Sequence, residues 1–222
     1  QGQTYPHIEH IIVDGNSTDG TVQLIEEHAT HYTQWVSEKD QGIYDAMNKA
    51  TAMARGNYIC YLNAGDTFYN SSSVEEVVAI AIEHQLPDIL YGETVVVDSS
   101  GSYLYDRRLR APSTLHWKSF KQGMLVCHQA FIIHRALFKP YDLTYRFSSD
   151  VDWCIRLMKR SKSRINTERI LIRYLNEGVT TANRQASLRE RFHIMVKHYG
   201  WISTLLHHAW FVVRAVIKPE KK

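Results

Sequence analysis

An α/β fold on a mixed, mainly parallel sheet is what this sequence predicts, and three observations predict it. In the first half, short apolar, β-branched runs alternate three times with stretches of helical spacing, the pattern of a sheet with crossover helices. Two of those strands stop at acidic loops, at Asp14 and at Asp66, and in such sheets ligands bind outside the carboxyl ends of the strands. The 222 residues, 44% hydrophobic and 22% charged, suffice for one large domain or two small ones with a real core.

The elements follow in order. Residues 8–13 (IEHIIV) read as a buried strand that stops at Asp14-Gly15-Asn16. A helix follows over 21–30, with Thr18 or Asp19 as its N-cap. Residues 34–37 form a short strand. Ile43, Met47, Ala50 and Ala54 share one helical face, and Gly56 stands just past the end as a C-cap. YICYL (58–62) is the third strand. Ser73 opens a helix to about residue 84, with Glu75 and Glu76 in its first turn, where the helix dipole favours them. In the second half, 89–97 and 103–105 predict a hairpin around Asp98-Ser99-Ser100-Gly101. Residues 130–134 predict a strand, 149–159 a helix and 165–175 a final strand.

Charge and cysteine narrow the function classes. Lys and Arg total 26 against 23 Asp and Glu, net +3, which gives no reason to expect nucleic acid as a partner. The excess is uneven. Residues 184–222 hold eight Lys/Arg against two Glu, net +6, and the rest is net −3. Three dispersed cysteines, Cys60, Cys127 and Cys154, form no CxxC pair and predict reduced thiols in a cytosolic setting. No secretory leader is expected, and no stretch of 18 apolar residues predicts a membrane span.

Four loops carry the chemistry: Val13 with DGNSTDGT (14–21); DQGIYDAMN (40–48); Leu62-Asn63-Ala64-Gly65-Asp66; and SSDVDW (148–153). In this order and spacing they resemble the family 2 glycosyltransferases, inverting, nucleotide-sugar-dependent enzymes of the Rossmann-like GT-A fold, over roughly residues 3–180. The subgroup most similar makes bacterial surface polysaccharides. The resemblance implies that Asp14 contacts the base or ribose of a nucleotide diphosphate sugar, and that Asp40, Gly42, Asp45 and Asn48 flank the nucleotide. It implies that Asp66 ends a DxD-type motif and meets a divalent cation, Mn²⁺ or Mg²⁺. Here that motif reads Asn63-Ala64-Gly65-Asp66, with one carboxylate and the Asn63 carbonyl, so weak metal binding is expected. Asp150 takes the place of the catalytic base, with Asp152 two residues on to orient it or hold the loop. His128 and Gln129 fall where acceptor or diphosphate contacts are made, and Gly178-Val179-Thr180-Thr181 resembles a small-residue loop near the phosphates. Each position also has a plainer reading. Asp14 starts a turn, Asp66 belongs to a Gly-Asp turn, the 40–48 segment is a surface helix, Asp150 is an N-cap and His128 is a core histidine.

Relative to that family, one βα unit is expected to be missing ahead of Gln3-Thr4-Tyr5-Pro6. The expected organisation is a glycosyltransferase domain over 1–183 and a basic amphipathic helical tail over 184–222. Within the tail, Trp201, Ile202, Leu205, Leu206, Ala209, Trp210, Val212, Val213, Val216 and Ile217 share one half of a helical wheel, and Ser203, Thr204, His207, His208, Arg214 and Lys218 share the other. Two tryptophans and basic flanks suit a helix lying in a membrane interface, and packing on the domain or on a twin subunit is the rival. The function expected is transfer of a sugar to the hydroxyl of a saccharide or lipid-linked saccharide acceptor. The enzyme is expected in the cytoplasm, peripheral to the inner face of the cell membrane, with a homo-oligomer possible. A non-catalytic nucleotide-sugar-binding or scaffolding protein is the alternative. A dehydrogenase ranks last, since no GxGxxG follows a strand.

Overall fold

The structure, a computed structural model, describes residues 2–176 and 183–217. Two sheets organise it. Strands β1 (Ile11–Asp14) and β2 (Gln34–Ser37) pair in parallel, Ile11 opposite Gln34 and Asp14 opposite Ser37. Helix α1 (Thr21–Glu27) makes the crossover between them; its N-cap is Gly20 rather than the expected Thr18 or Asp19, and Asp19, one residue earlier, accepts from the Thr21 N–H at 3.1 Å. Helix α2 (Ile43–Met53) then leads to β3 (Tyr58–Ile59), β4 (Thr67–Phe68) and α3 (Ser73–Glu83).

The second sheet has six strands. With β5 (Ile89–Val97), β7 (Phe131–His134) and β8 (Arg164–Leu175) its order is β3-β7-β5-β8-β4, and β6 (Tyr103–Asp106) pairs with β5. It is mixed, as expected, but the balance leans the other way from the sequence reading. Only β5·β8 runs parallel, and the other pairings of this sheet are antiparallel. Strand and helix alternation counts crossovers; it does not reveal that β7 and β4 return beside strands of opposite direction. Between Tyr91 and Thr94 the β5·β8 register shifts. Gly92 sits at that irregularity, where a Cβ would come within 2.7 Å of the Arg169 carbonyl oxygen. The chain there has no room for any other residue.

The core lies between this sheet and α4 (Ser149–Arg160), whose Val151, Trp153, Cys154, Ile155, Leu157 and Met158 are buried against Ile89, Leu90, Phe131, Ile133 and Leu171. Each such side chain contributes about 1.5–3 kcal/mol by leaving water.

Two helices close the chain, α5 (Arg184–Tyr199) and α6 (Trp201–Ile217), separated by Gly200 at φ +81°. Although α5 falls in the segment expected as a tail, it packs into the domain. Ile194 and Met195 are buried, and the Tyr199 ring stacks on Trp117 at 5.5 Å while its hydroxyl donates to the Trp117 carbonyl at 2.7 Å. On α6 the polar residues whose burial is described face inward: Thr204 is fully buried, and His207 and His208 are half-buried. The apolar ones face out, with Trp201 61%, Ile202 79%, Leu206 67% and Trp210 54% exposed. Among the described residues no helix is long and apolar enough to cross a membrane.

Other departures are local. The strand expected over 58–62 is ordered as a ladder only at Tyr58–Ile59, and the first helix ends at Glu27 in a short 3₁₀ turn. Strand β4 and the 3₁₀ helix at Trp117–Gln122 were not expected from periodicity. The small-residue loop at 178–181 lies outside the described residues.

Candidate active site

The end of β1 and the end of β2 meet at Asp14. Its carboxylate is buried and accepts from the Ser17 hydroxyl at 2.5 Å, the Ser17 N–H at 2.9 Å and the Ser37 hydroxyl at 2.6 Å. Those hydrogen bonds, Ser17 first, hold its pKa below the ordinary carboxylate value. Asp14 is therefore an anion with a fixed orientation at a strand end. Asp40 is beside it: a Cβ on Gly15 would meet Asp40 Oδ2 at 2.7 Å. The absence of a side chain at residue 15 is what lets the two loops touch. Asp40 Oδ1 accepts the Gly42 N–H at 2.8 Å, and Gly42 takes φ +115°, a backbone that favours glycine, to turn the chain into α2. Asp45 reaches back to the Gln41 N–H at 3.0 Å and pairs with Lys49 at 3.5 Å.

Asn48 turns inward instead. Its side chain donates to the Tyr141 carbonyl at 3.2 Å and accepts the Tyr141 N–H at 2.8 Å, so both ends of the amide brace one backbone position. That position matters, because Tyr141 is the centre of an aromatic stack. It lies 5.3 Å from Tyr44 on α2 and 4.7 Å from Trp153 on α4, both stacked. The stack joins α2 to α4 and brings the Tyr44 hydroxyl to Asp150 Oδ1, to which it donates at 3.0 Å. Burial first, and then the Asp150 charge, push the Tyr44 pKa up, so the phenol keeps its proton and remains a donor. Asp150 stands in the first turn of α4 and is partly exposed; its Oδ2 accepts no hydrogen bond from a described residue. Tyr44 lies inside the quoted 40–48 motif, but only the stack reveals its partner.

Asp66 and Asp150 come to one region around His128. The His128 imidazole is buried, and burial lowers its pKa while the charges of Asp150 and Asp66 oppose that shift. Its Nε2 has no hydrogen-bond partner among the described residues. Gln129, next to it, donates to Asp66 Oδ2 at 2.5 Å, and the Leu175 N–H donates to Oδ1 at 2.9 Å. Burial nonetheless raises the Asp66 pKa. Asn63 contributes its backbone carbonyl, which accepts the Asp66 N–H at 3.0 Å. The donor set is the oxygen type a hard cation takes, but it holds one carboxylate, and no group of three His, Cys, Asp or Glu comes together among the described residues.

Asp152 is placed elsewhere. It is fully buried on the far side of α4, facing Arg156 at 2.6 Å, His198 at 2.8 Å and Lys197 at 3.1 Å. Burial works to raise its pKa, but hydrogen bonds from His198, Arg156 and Lys197 outweigh burial and hold it far below the usual carboxylate range. Lys159 approaches His198 Nδ1 at 2.9 Å and can only donate, which assigns the ring proton to Nε2 and makes His198 a donor to Asp152. Asp152 fastens α4 to α5; two residues of helix turn it away from Asp150.

A cavity of about 440 Å³ is lined by Asp40, Gly42 and Tyr44 together with Leu143, Tyr145 and Arg146. The loop after β2 and the entry of α2 thus border one groove, and Tyr44, which lines it, carries the hydrogen bond to Asp150.

A protein-family model described as Glycosyl transferase family 2 matches residues 1–141. A PGL/p-HBAD biosynthesis glycosyltransferase of Mycobacterium bovis is 33% identical over 164 residues, covering 69% of this chain and 59% of the relative. An uncharacterised glycosyltransferase of Mycobacterium tuberculosis is 33% identical over 158 residues, 67% of this chain and 56% of the relative. The matched region thus spans less than two thirds of these relatives' length. Among solved structures, S. aureus TarS 1–349 in complex with UDP superposes with a TM-score of 0.68 at 15% identity, over 98% of this chain and 66% of that one. The same protein in complex with UDP-GlcNAc gives 0.69 at 15%, over 99% and 70%. At that identity the likeness establishes the fold.

Proposed function

Because the chain belongs to glycosyl transferase family 2, we propose that it moves a sugar from a nucleotide diphosphate sugar to an acceptor hydroxyl, with inversion at the anomeric carbon. The observation that carries this reading is Asp150. One carboxylate oxygen is fixed by Tyr44, a residue that lines the groove, and the other accepts no hydrogen bond from a described residue on a partly exposed side chain. In the proposed reaction Oδ2 takes the proton of the acceptor hydroxyl as that oxygen attacks the anomeric carbon. The nucleotide diphosphate leaves from the opposite face. The Tyr44 hydroxyl holds the carboxylate in one rotamer throughout.

Asp14 and Asp40 would receive the base and ribose of the donor, for which the UDP and UDP-GlcNAc complexes of TarS lend support. Gly42 and Asp45 shape the entry of α2, and Asn48 acts through Tyr141 rather than on the nucleotide. His128, whose Nε2 has no partner among the described residues and which feels the charges of both Asp150 and Asp66, would contact the donor's sugar or diphosphate. A divalent cation, when bound, offsets charge on the leaving diphosphate. Asp66 is the one protein carboxylate that would hold it, with Gln129 fixing the carboxylate's orientation. The acceptor is proposed to be a saccharide or lipid-linked saccharide of bacterial polysaccharide synthesis. The outward apolar face of α6 supports a membrane surface, at the inner face of the cell membrane, as the place where acceptor and enzyme meet.

Asp150→Asn is the test, with a panel of UDP-sugars offered alongside p-nitrophenyl glycoside acceptors. Turnover of the best UDP-sugar should fall by ~10²–10⁴-fold, the usual worth of a general base, with UDP affinity by calorimetry nearly unchanged. Unchanged turnover in a folded variant leaves Asp150 as a first-turn carboxylate of α4, whose N-cap is Ser148, that serves only to bind Tyr44.

A further inference from the structure

We propose that Glu190 and Ser187 on α5 are positioning residues for Asp150, a reading that rests on Asp150 being the base. Both carboxylate oxygens of Glu190 are committed to consecutive backbone amides of the loop ahead of α4. Oε1 accepts the Arg146 N–H at 2.8 Å and Oε2 the Phe147 N–H at 2.8 Å. One turn earlier on α5, Ser187 meets the next residue, with 2.9 Å between its hydroxyl and that of Ser148. Ser187 and Glu190 lie three apart and so share a helix face. That face therefore holds residues 146, 147 and 148 in sequence, and Asp150 follows two positions later. From the other side, the Ser149 hydroxyl donates to the Asp142 carbonyl at 2.8 Å. Ser148, Ser149 and Ser187 are all buried, so these contacts are made away from water.

A carboxylate that accepts two main-chain N–H groups makes charge-assisted hydrogen bonds, shorter and stiffer than neutral ones. It is also a rigid fork, so it fixes the direction of the loop as well as its distance. The residues it fixes do two things at the groove. Arg146 lines the wall opposite Asp40, Gly42 and Tyr44. Ser148 is the N-cap of α4, so its position sets where the first turn, and Asp150 in it, begins. Displacing a reacting group by about 1 Å can cost roughly 100-fold in rate. Helix α5 thus belongs to the active site without touching substrate.

Glu190→Gln keeps the shape but turns one N–H-accepting oxygen into an NH₂ group; Ser187→Ala removes the hydroxyl. Both are compared with Asp150→Asn and with the double variant Asp150→Asn/Glu190→Gln, using the UDP-sugar that the wild type turns over fastest. Glu190→Gln should lower kcat by about tenfold or more while calorimetric UDP affinity stays within about twofold. In the Asp150→Asn background the same change should cost nothing further, because its effect passes through Asp150. Circular dichroism of each variant checks the fold, and Ser187→Ala, with a smaller kcat loss of the same kind, serves where Glu190→Gln is not folded. A kcat loss that persists in full in the double variant, or no loss in either folded single variant while Asp150→Asn is impaired, overturns the positioning role. No loss in Asp150→Asn itself instead overturns the base assignment on which it rests.

Discussion

Asp152 is the residue whose environment differs most from its expected one. A fully buried carboxylate surrounded by Arg156, Lys197 and His198 is satisfied only while it is ionised. Its folded pKa lies below the unfolded value of about 3.9. Protons therefore bind the unfolded chain more readily, and the stabilisation is full above the unfolded pKa and fades as pH falls through it toward the folded one. Asp152→Asn removes the buried anion that holds the partly exposed Arg156 and the exposed Lys197 and, through its lost charge-assisted hydrogen bonds, should cost about 2 kcal/mol at pH 7, which for a chain of this size lowers Tm by roughly 6 °C. The gap between variant and wild type should narrow as pH is taken from about 5 to 3. A constant gap in a Tm series over that range would mean that packing, not charge, holds α4 to α5. At this scale the sequence made the anionic positions legible and left their partners hidden. Asp14 and Asp150 are readable from their loops, whereas Tyr44 as the partner of Asp150, 106 residues away, is not. The SSDVDW motif offers Asp150 and Asp152 as equals; only the turn of the helix sends one to Tyr44 and the other to the α5 interface.

Helices α5 and α6 show what periodicity can and cannot say at the level of an element. The wheel of α6 was legible in full, but a wheel states which residues share a face and not which way the face points. The inward side takes Thr204, which donates to the Gly200 carbonyl at 2.8 Å, and His208, whose ring meets Phe192 at 5.0 Å. The outward side leaves two tryptophans, an isoleucine and two leucines in water, a patch that soluble surfaces rarely carry unpartnered. Sedimentation with anionic vesicles should bring the chain down at low salt and less at high salt, since each basic residue near such a surface contributes about 1 kcal/mol that salt screens. Trp201→Ser with Leu206→Ser should abolish it. Binding unaffected by that pair of changes counts against α6 as the docking element; a second copy on the same face would show instead as a dimer in vesicle-free ultracentrifugation. Helix α5 was expected as part of the helical tail, but its docking into the domain was hidden. Much of its buried side is polar, with Ser187, Glu190 and His198 spent on partners rather than on apolar packing. No apolar stripe marks it in the sequence.

For the molecule as a whole, the strands were legible and their pairing was not, because strand direction is decided by contacts far apart in the chain. The result is an uneven scaffold. Strand β5 has neighbours on both sides and is buried almost throughout, whereas β1 and β2 are paired only with each other among the described residues and are largely half-buried. One tie from β1's approach to the rest of the fold is polar: the Glu9 carboxylate accepts the Arg55 and Gly56 N–H groups at 2.6 and 3.1 Å. Amide hydrogen exchange reads such differences as opening free energies, from near zero for loosely held segments up to the global value for core strands. Amides of residues 11–14 and 34–37 should exchange faster than those of Ile89–Val97 by roughly 100-fold. UDP should slow the first group and leave the second unchanged; equal rates in the two would show one cooperative unit. If, as proposed, the donor binds at these strand ends, it would tighten the part that opens first, and part of its binding free energy would go into ordering it.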